Sequence, residues 1–351
     1  MINFKDIFKY EPFSMDWKKK EDWYFKNLKK LTTHHIRNSY DYHKISNSLF
    51  SRKNSWKKIS DLPYLHVSAF KDYSMKSISD KNVTSTYNSS GTTSSKKSKI
   101  FLDRDTSLLQ TQALKKIFQD VLKNKKELLI VDSKYNVEKK FSFSAKKAAI
   151  RGFSINFDKK NYLLDSNNNI KISELLKLNN KKNFVIFGFT SQIWFNLIEQ
   201  MKKYKILLKK NNGIVIHGGG WKKMQNKSIN NNKFKEELKS ILGVKHVFNY
   251  YGMIEQTGSV FIECEKGFFH SSIFSDILFR DKFLNVSKSK KVGLVQIMSL
   301  LPISYPGHNI LTEDIGKLEG IDDCECGKKG KYFSILGRVK DAELRGCSDV
   351  S

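Results

Sequence analysis

The sequence predicts an α/β fold, mostly parallel sheets flanked by helices, and three observations carry that prediction. Short continuous apolar runs recur as Leu128-Leu129-Ile130-Val131, Phe184-Val185-Ile186-Phe187, Ile214-Val215-Ile216 and Val247-Phe248. Runs of that length suit strands buried on both faces. Between them lie stretches with helical spacing: Trp194, Leu197, Ile198 and Met201, then Phe234, Leu238, Ile241 and Leu242, the last closed by Gly243. Strands that alternate with amphipathic helices imply parallel connections.

The elements follow in order. Residues 1–75 read as a helical region packed on a larger core, with Trp17, Trp23, Phe25, Leu28, Leu31, Ile36 and Tyr40 at three- and four-residue intervals. Residues 80–99 are nearly all small, hydroxylated or basic and read as a loop. A helix through Leu108, Leu109, Leu114, Ile117, Phe118, Val121 and Leu122 follows, with Asp105 as its N-cap. Beyond residue 255 the pattern changes to strands and turns, punctuated by Gly293, Pro302, Pro306, Gly307 and Gly316. The expected organisation is a helical lead-in over 1–75, a core over 76–336 and a tail over 337–351.

Composition bounds the function. With 25 Phe, 14 Tyr and 5 Trp in 351 residues, the chain has the apolar surface of a globular enzyme and not of a disordered tail. No run approaches the roughly 20 apolar residues of a membrane span, and the acidic opening MINFKDIFKYEPF is unlike an export signal, so a cytoplasmic protein is expected. The net charge of +28 raises nucleic acid as a partner. Only seven of the 63 basic residues are Arg, whose planar fork suits bidentate phosphate and base contacts. Lys is spread from end to end beside Asn runs such as 167–169 and 230–232, so tolerant surface positions account for the charge and nucleic acid stays an alternative.

In such sheets ligands bind beyond the carboxyl ends of strands, which directs attention to the turns. Tyr87-Asn88-Ser89-Ser90-Gly91-Thr92-Thr93-Ser94-Ser95-Lys96-Lys97 offers hydroxyls, backbone N–H groups and cations, the donors a polyphosphate needs, although a solvated linker would share that composition. His217-Gly218-Gly219-Gly220-Trp221-Lys222 lets a ligand approach the backbone, or is a tight turn. Tyr250-Tyr251-Gly252-Met253-Ile254-Glu255 places an aromatic ring for stacking and a carboxylate that could hold Mg²⁺; a core tyrosine and a helix-start glutamate would explain the same letters. Thr312-Glu313-Asp314-Ile315-Gly316 puts an acid in a turn, and Leu336-Gly337-Arg338 follows.

Four cysteines are too few for an extracellular disulfide framework. Cys264 and His270 with Cys324 and Cys326 make three thiolates and one imidazole, the ligand set of a closed zinc site; buried thiols and a core histidine are the plainer alternative. Cys347, between Gly346 and Ser348 and two residues after Arg345, has a cation near enough to favour its thiolate, or is an incidental thiol.

Taken in order, SSGTTSSKK, the Gly-rich turn, YYGMIE, TEDIG and LGR resemble the motif series of adenylate-forming acyl synthetases. More narrowly, HGGGWKK, YYGMIEQTGSVFIECEKGFFH, LPISYPGHNILTEDIG, DDCECGKKGKYFSILGR and RGCSD are similar to the acyl-protein synthetases of the bacterial bioluminescence fatty-acid reductase complex (LuxE-type), with phenylacetate-CoA ligases as the next relatives. The resemblance extends over most of the chain. It implies the large N-terminal domain of the adenylate-forming fold, and ATP with Mg²⁺ activating a carboxylic, fatty acid.

Residue by residue, it implies that Ser89, Ser90, Gly91, Thr92, Thr93, Ser94 and Lys97 meet the phosphates and that Gly219, Gly220, Tyr251 and Gly252 line the adenine site. Glu255 would bind Mg²⁺, Asp314 the ribose hydroxyls, and Arg338 a phosphate or ribose at a hinge. Cys347 would accept the acyl group before an acyl-accepting reductase or carrier takes it. Similar cysteine spacings in some phenylacetate-CoA ligase relatives imply a structural Zn²⁺. Ser94 stands where the superfamily usually has Gly, and Lys96 where it has Pro. Ser351 follows Arg338 by thirteen residues, so the small C-terminal domain is expected to be missing or vestigial. The acyl pocket is expected around Phe187, Gly188, Phe189 and Thr190. An acyl-CoA or aryl-CoA ligase is the alternative enzyme, and a non-catalytic nucleic-acid-binding protein the alternative outside catalysis.

Overall fold

The computed structural model describes residues 7–50, 56–89, 96–123, 127–138, 145–221 and 229–339. Contacts divide the described residues into two compact units: those within 1–88, 95–117 and 252–343 form one, and those within 89–94 and 118–251 the other.

The second unit is the parallel sheet that the apolar runs foretell. Its strands lie in the order Lys159–Leu164, Glu127–Ser133, Val185–Phe189, Ile214–Gly218 and His246–Tyr251, every neighbouring pair parallel. Alternation along each strand sends side chains to opposite faces. On one face Ile186 and Val215 join a buried cluster with Trp194, Leu197, Phe234 and Leu238. On the other, Phe187 stacks on Phe153 at 4.4 Å, and Phe118 meets Phe153 edge-on at 4.8 Å. Burying both faces in this way is what allows continuous apolar strands. The helical run after Val185–Phe189 includes a π-helical turn, Ile193–Ile198.

The first unit carries an antiparallel sheet, ordered Ser275–Arg280, Val292–Ser299, Asn309–Ile321, Lys331–Arg338, Phe269–His270 and Phe261–Glu263, with Leu65–His66 added parallel to Asn309–Ile321. Its helix Trp17–Asn38 buries Lys20, Tyr24, Leu28, Leu31, Thr32 and His35. That stripe differs from the aromatic one expected: Trp17, Trp23, Phe25 and Ile36 are half-buried and Tyr40 is exposed. Polar side chains can lie inward because each finds partners. Lys20 donates to Ser272 O at 2.7 Å and Ser275 O at 2.8 Å, and burial lowers its pKa to about 8. His35 bonds Ser77 Oγ at 2.8 Å and Pro302 O at 3.0 Å.

Three further expectations are corrected. The lead-in is not helical to residue 75, because Ile59–Asp61 is 3₁₀ and Leu65–His66 is a strand. The stretch 80–99 is not all loop: Ser85–Asn88 pairs antiparallel with Lys99–Leu102, and Thr and Tyr suit a strand even amid Ser and Asn. The helix is Arg104–Leu122, and it is Asp103, not Asp105, whose carboxylate accepts from Thr106 N at 2.8 Å.

Candidate functional site

In the second unit, Ile214–Gly218 and His246–Tyr251 end together, with Gly218 in register with Tyr250. Gly219 (φ 79°) and Gly220 (φ 63°) turn the chain away in left-handed conformations that only glycine adopts without strain. Both are exposed at the carboxyl edge, where nucleotide sites form in such sheets. Tyr250 is half-buried with its ring stacked 6.0 Å from that of Phe187, so alternation turns Tyr251 to the other face. Tyr251 ends the strand and Gly252 follows it; both are half-buried.

Behind Gly218 lies a pair that sequence reasoning missed. Thr190 Oγ1 donates to Gly218 O at 3.1 Å and so must accept from His217 Nδ1, 2.9 Å away. That fixes the Nδ1–H tautomer and leaves Nε2 a bare acceptor, buried without a hydrogen-bond partner against the ring of Phe234. Burial, with Lys235 adding repulsion, lowers the His217 pKa to about 3. Thr190 and its neighbours are therefore core-forming: Phe187 and Phe189 are 2% and 1% exposed, and a side chain at Gly188 would meet Ile193 at 2.9 Å. The four residues expected to line an acyl pocket instead pack the sheet. Beside them Asp132, at the carboxyl end of Glu127–Ser133, pairs with Lys146 at 2.5 Å, both side chains nearly sealed from solvent.

In the first unit, Glu255 lies in the 3₁₀ turn Ile254–Gln256 and is 4% exposed. A carboxylate so deeply placed is stable there only when donors or a cation meet it. Asp314 is corrected from turn to strand: it lies within Asn309–Ile321, opposite Arg338 on Lys331–Arg338. Cross-strand register brings the two together, Arg338 Nε 3.2 Å from Asp314 Oδ1 while Nη2 donates to Glu313 Oε2 at 2.8 Å. Lys97 is exposed just before Lys99–Leu102, whereas Lys96 pairs with Asp72 at 3.1 Å. Ser89 is half-buried after Ser85–Asn88. Ser90, Gly91, Thr92, Thr93, Ser94 and Cys347 lie outside the described residues.

The cysteines form the best-defined cluster. One ligand atom from each of Cys264, His270, Cys324 and Cys326 lies within 4.8 Å of all the others. Two matching turns present the cysteines, Cys264-Glu265-Lys266-Gly267 and Cys324-Glu325-Cys326-Gly327, and the strand Phe269–His270 presents the histidine. In each the glycine N–H donates to the first cysteine's carbonyl at 2.9 Å, at φ 83° and 80°. A Lys266–Glu325 ion pair ties turn to turn. Cys264 Sγ is 4.0 Å from Cys324 Sγ, and Cys326 Sγ is 3.4 Å from His270 Nε2. A tetrahedral Zn²⁺ with bonds of about 2.3 Å to sulfur and 2.0 Å to nitrogen sets those separations at about 3.8 and 3.5 Å, so the donor set fits. Without a metal, burial raises the Cys264 thiol pKa, pushes Cys324 up to about 12 and lowers His270 to about 4.

Crystal structures of 2-hydroxyisobutyryl-CoA ligase share the fold: the open form with 2-HIB-AMP and CoA superposes with a TM-score of 0.72 at 13% identity, covering 94% of this chain and 77% of that one. The postadenylation state with 2-HIB-AMP gives 0.70 at 12% identity, covering 93% and 70%. No curated protein matches the sequence. No helix among the described residues is long and apolar enough to cross a membrane. A model of the acyl-protein synthetase family LuxE matches residues 3–351, and by that match the chain belongs to the LuxE acyl-protein synthetase family, on a fold shared with 2-hydroxyisobutyryl-CoA ligase.

Proposed function

We propose that the chain activates a fatty acid with ATP and then carries the acyl group on its own Cys347. The family match over nearly the whole chain is the observation that carries this reading. An oxygen of the acid's carboxylate attacks the α-phosphorus of ATP, the bond to pyrophosphate breaks, and an acyl adenylate forms. The Cys347 thiolate then attacks the acyl carbonyl, AMP leaves with the bonding pair, and a thioester holds the acyl group for transfer to a protein acceptor.

Such chemistry is chiefly positioning and charge neutralisation. Residues 89–97, ending in the exposed Lys97, are assigned to the phosphates. The engagement of Lys96 by Asp72 favours Lys97 over its neighbour for that role. Gly219, Gly220, Tyr251 and Gly252 are assigned to the adenine, and the Asp314–Arg338 pair to the ribose and its phosphate. Bound Mg²⁺ supplies charge to offset the phosphate oxygens, and Glu255 is the residue that would hold it. The Cys264, His270, Cys324, Cys326 quartet is assigned a structural Zn²⁺, since a site closed by four protein ligands leaves no position for substrate.

The test is to incubate the full chain with labelled fatty acid, ATP and Mg²⁺ and measure hydroxylamine-labile label on the polypeptide. The reading expects label on the wild type and none on Cys347→Ser, which still releases pyrophosphate. Label that appears only on added CoA, with Cys347→Ser fully active, would replace it with a CoA ligase.

A further inference from the structure

We infer that the turn joining Ser275–Arg280 to Val292–Ser299 docks the protein on an anionic lipid surface. Along residues 282–292 the side chains Phe283, Leu284, Val286 and Val292 are 73%, 42%, 45% and 55% exposed. Single exposed apolar residues are ordinary on a protein surface; four within ten positions, three of them nearly consecutive, are not. Lys282, Lys288, Lys290 and Lys291 surround them, all exposed, and Asp281 is the one acid in the segment.

The turn is also held so that these side chains stay outward. Asp281 Oδ1 accepts from Phe283 N and Asn285 N at 2.9 Å each, and Asp281 N donates to Asn285 O at 2.9 Å. From beneath, the buried Arg280 donates from Nη1 to Leu284 O at 2.6 Å and from Nη2 to Ser60 O at 3.1 Å. Leu284 is held at φ 64°, a left-handed conformation unfavourable for a leucine. An apolar tip presented on a pinned backbone and ringed by lysines has the chemistry of an interfacial anchor: rings and branched chains enter the acyl boundary while ammonium groups meet anionic headgroups.

Charge complementarity selects this occupant over the others. A second copy of the chain, docked face to face, would bring the same lysines together and repel. A nucleic acid would satisfy the lysines but leave Leu284, Val286 and Val292 without a partner, since aliphatic side chains do not stack on bases as aromatic rings do. The docking does not rest on the adenylation reading. If that reading holds, the anchor places the enzyme where a long-chain acid partitions.

Co-sedimentation of the full chain with phosphatidylcholine vesicles, with and without phosphatidylglycerol, tests it. Wild type should pellet with the anionic vesicles and be released by salt. The charge-neutral double substitution Phe283→Ser with Leu284→Ser should lower partitioning about a hundredfold. Lys288→Gln, Lys290→Gln and Lys291→Gln together should lower it by a similar factor on anionic vesicles. Thermal melts that match wild type show that both variants fold, and the lysine variant stands alone if the apolar one does not. Three outcomes overturn the inference: no pelleting at low salt; pelleting unchanged by Phe283→Ser with Leu284→Ser, which leaves only the general attraction of a polycation, nucleic acid included; or a dimer in sedimentation velocity that this double variant abolishes, without vesicle binding.

Discussion

Removing one ligand of the cysteine–histidine quartet tests whether the cluster is a metal site or a set of buried thiols. Cys324→Ser is the sharpest perturbation, since Cys324 opens one of the two matching turns and lies 4.0 Å from Cys264. A metal bound only to the folded state stabilises it by about 4 kcal/mol when free metal is a thousandfold above the dissociation constant. For a unit of this size each kcal/mol moves the melting temperature by roughly 2–4 °C, so losing the metal should lower it by roughly 10 °C. The assay combines metal analysis of the purified chain with melting curves in buffer, with chelator and with zinc restored. Wild type should carry close to one zinc per chain and lose the full shift to chelator, whereas Cys324→Ser should carry none and ignore chelator. Wild type with only trace zinc, and a melt indifferent to chelator and added zinc alike, would refute the reasoning.

Other predictions come from single contacts. Lys146→Met strands the buried carboxylate of Asp132 and should cost about 3–5 kcal/mol in urea unfolding, most of it regained when Asp132→Asn is added; equal stability of the single and double variants would contradict this. Gly219→Ala forces φ 79° on an L side chain whose Cβ would sit 2.7 Å from the Phe189 ring; a loss of about 1–3 kcal/mol and slower adenylation are expected, and an unchanged melt would count against the turn's assigned conformation. His217 has its pKa lowered to about 3 from an ordinary 6.5, so between those values the unfolded chain binds a proton that the folded chain refuses. Stability must therefore fall as pH drops through that window, by up to about 1.4 kcal/mol per pH unit from this group. His217→Gln should flatten the pH dependence of the urea midpoint by that amount, and parallel curves would exclude the assignment.

The second unit was legible because its strands are buried on both faces and announce themselves as apolar runs. Lys159–Leu164 escaped because an edge strand with Lys159, Lys160 and Asn161 lacks that signal. The quartet was legible as residue types, but the turns that bring Cys264 beside Cys324, sixty residues on, are tertiary facts. The acid in TEDIG reads as a turn residue because glycine stands at 316, while the structure shows a strand whose register shifts next to Gly316 and aligns Asp314 with Arg338. Inward-facing Lys20, His35 and His308 were invisible, because polar residues enter a core only when partners from distant segments meet them, as Thr32 meets His308 Nε2 at 3.0 Å. For the quartet and the inward-facing polar residues, the deciding contact lies far away in sequence.

The central claim is that this chain makes an acyl adenylate, and acid-dependent exchange of radiolabelled pyrophosphate into ATP measures that step without reference to the acceptor. The account predicts exchange that requires both a fatty acid and Mg²⁺, persists in Cys347→Ser, and falls at least about a hundredfold in Glu255→Gln, as for loss of a group that holds transition-state charge. Folded, zinc-replete protein that shows no exchange with any fatty acid, or exchange that Glu255→Gln leaves untouched, would contradict it.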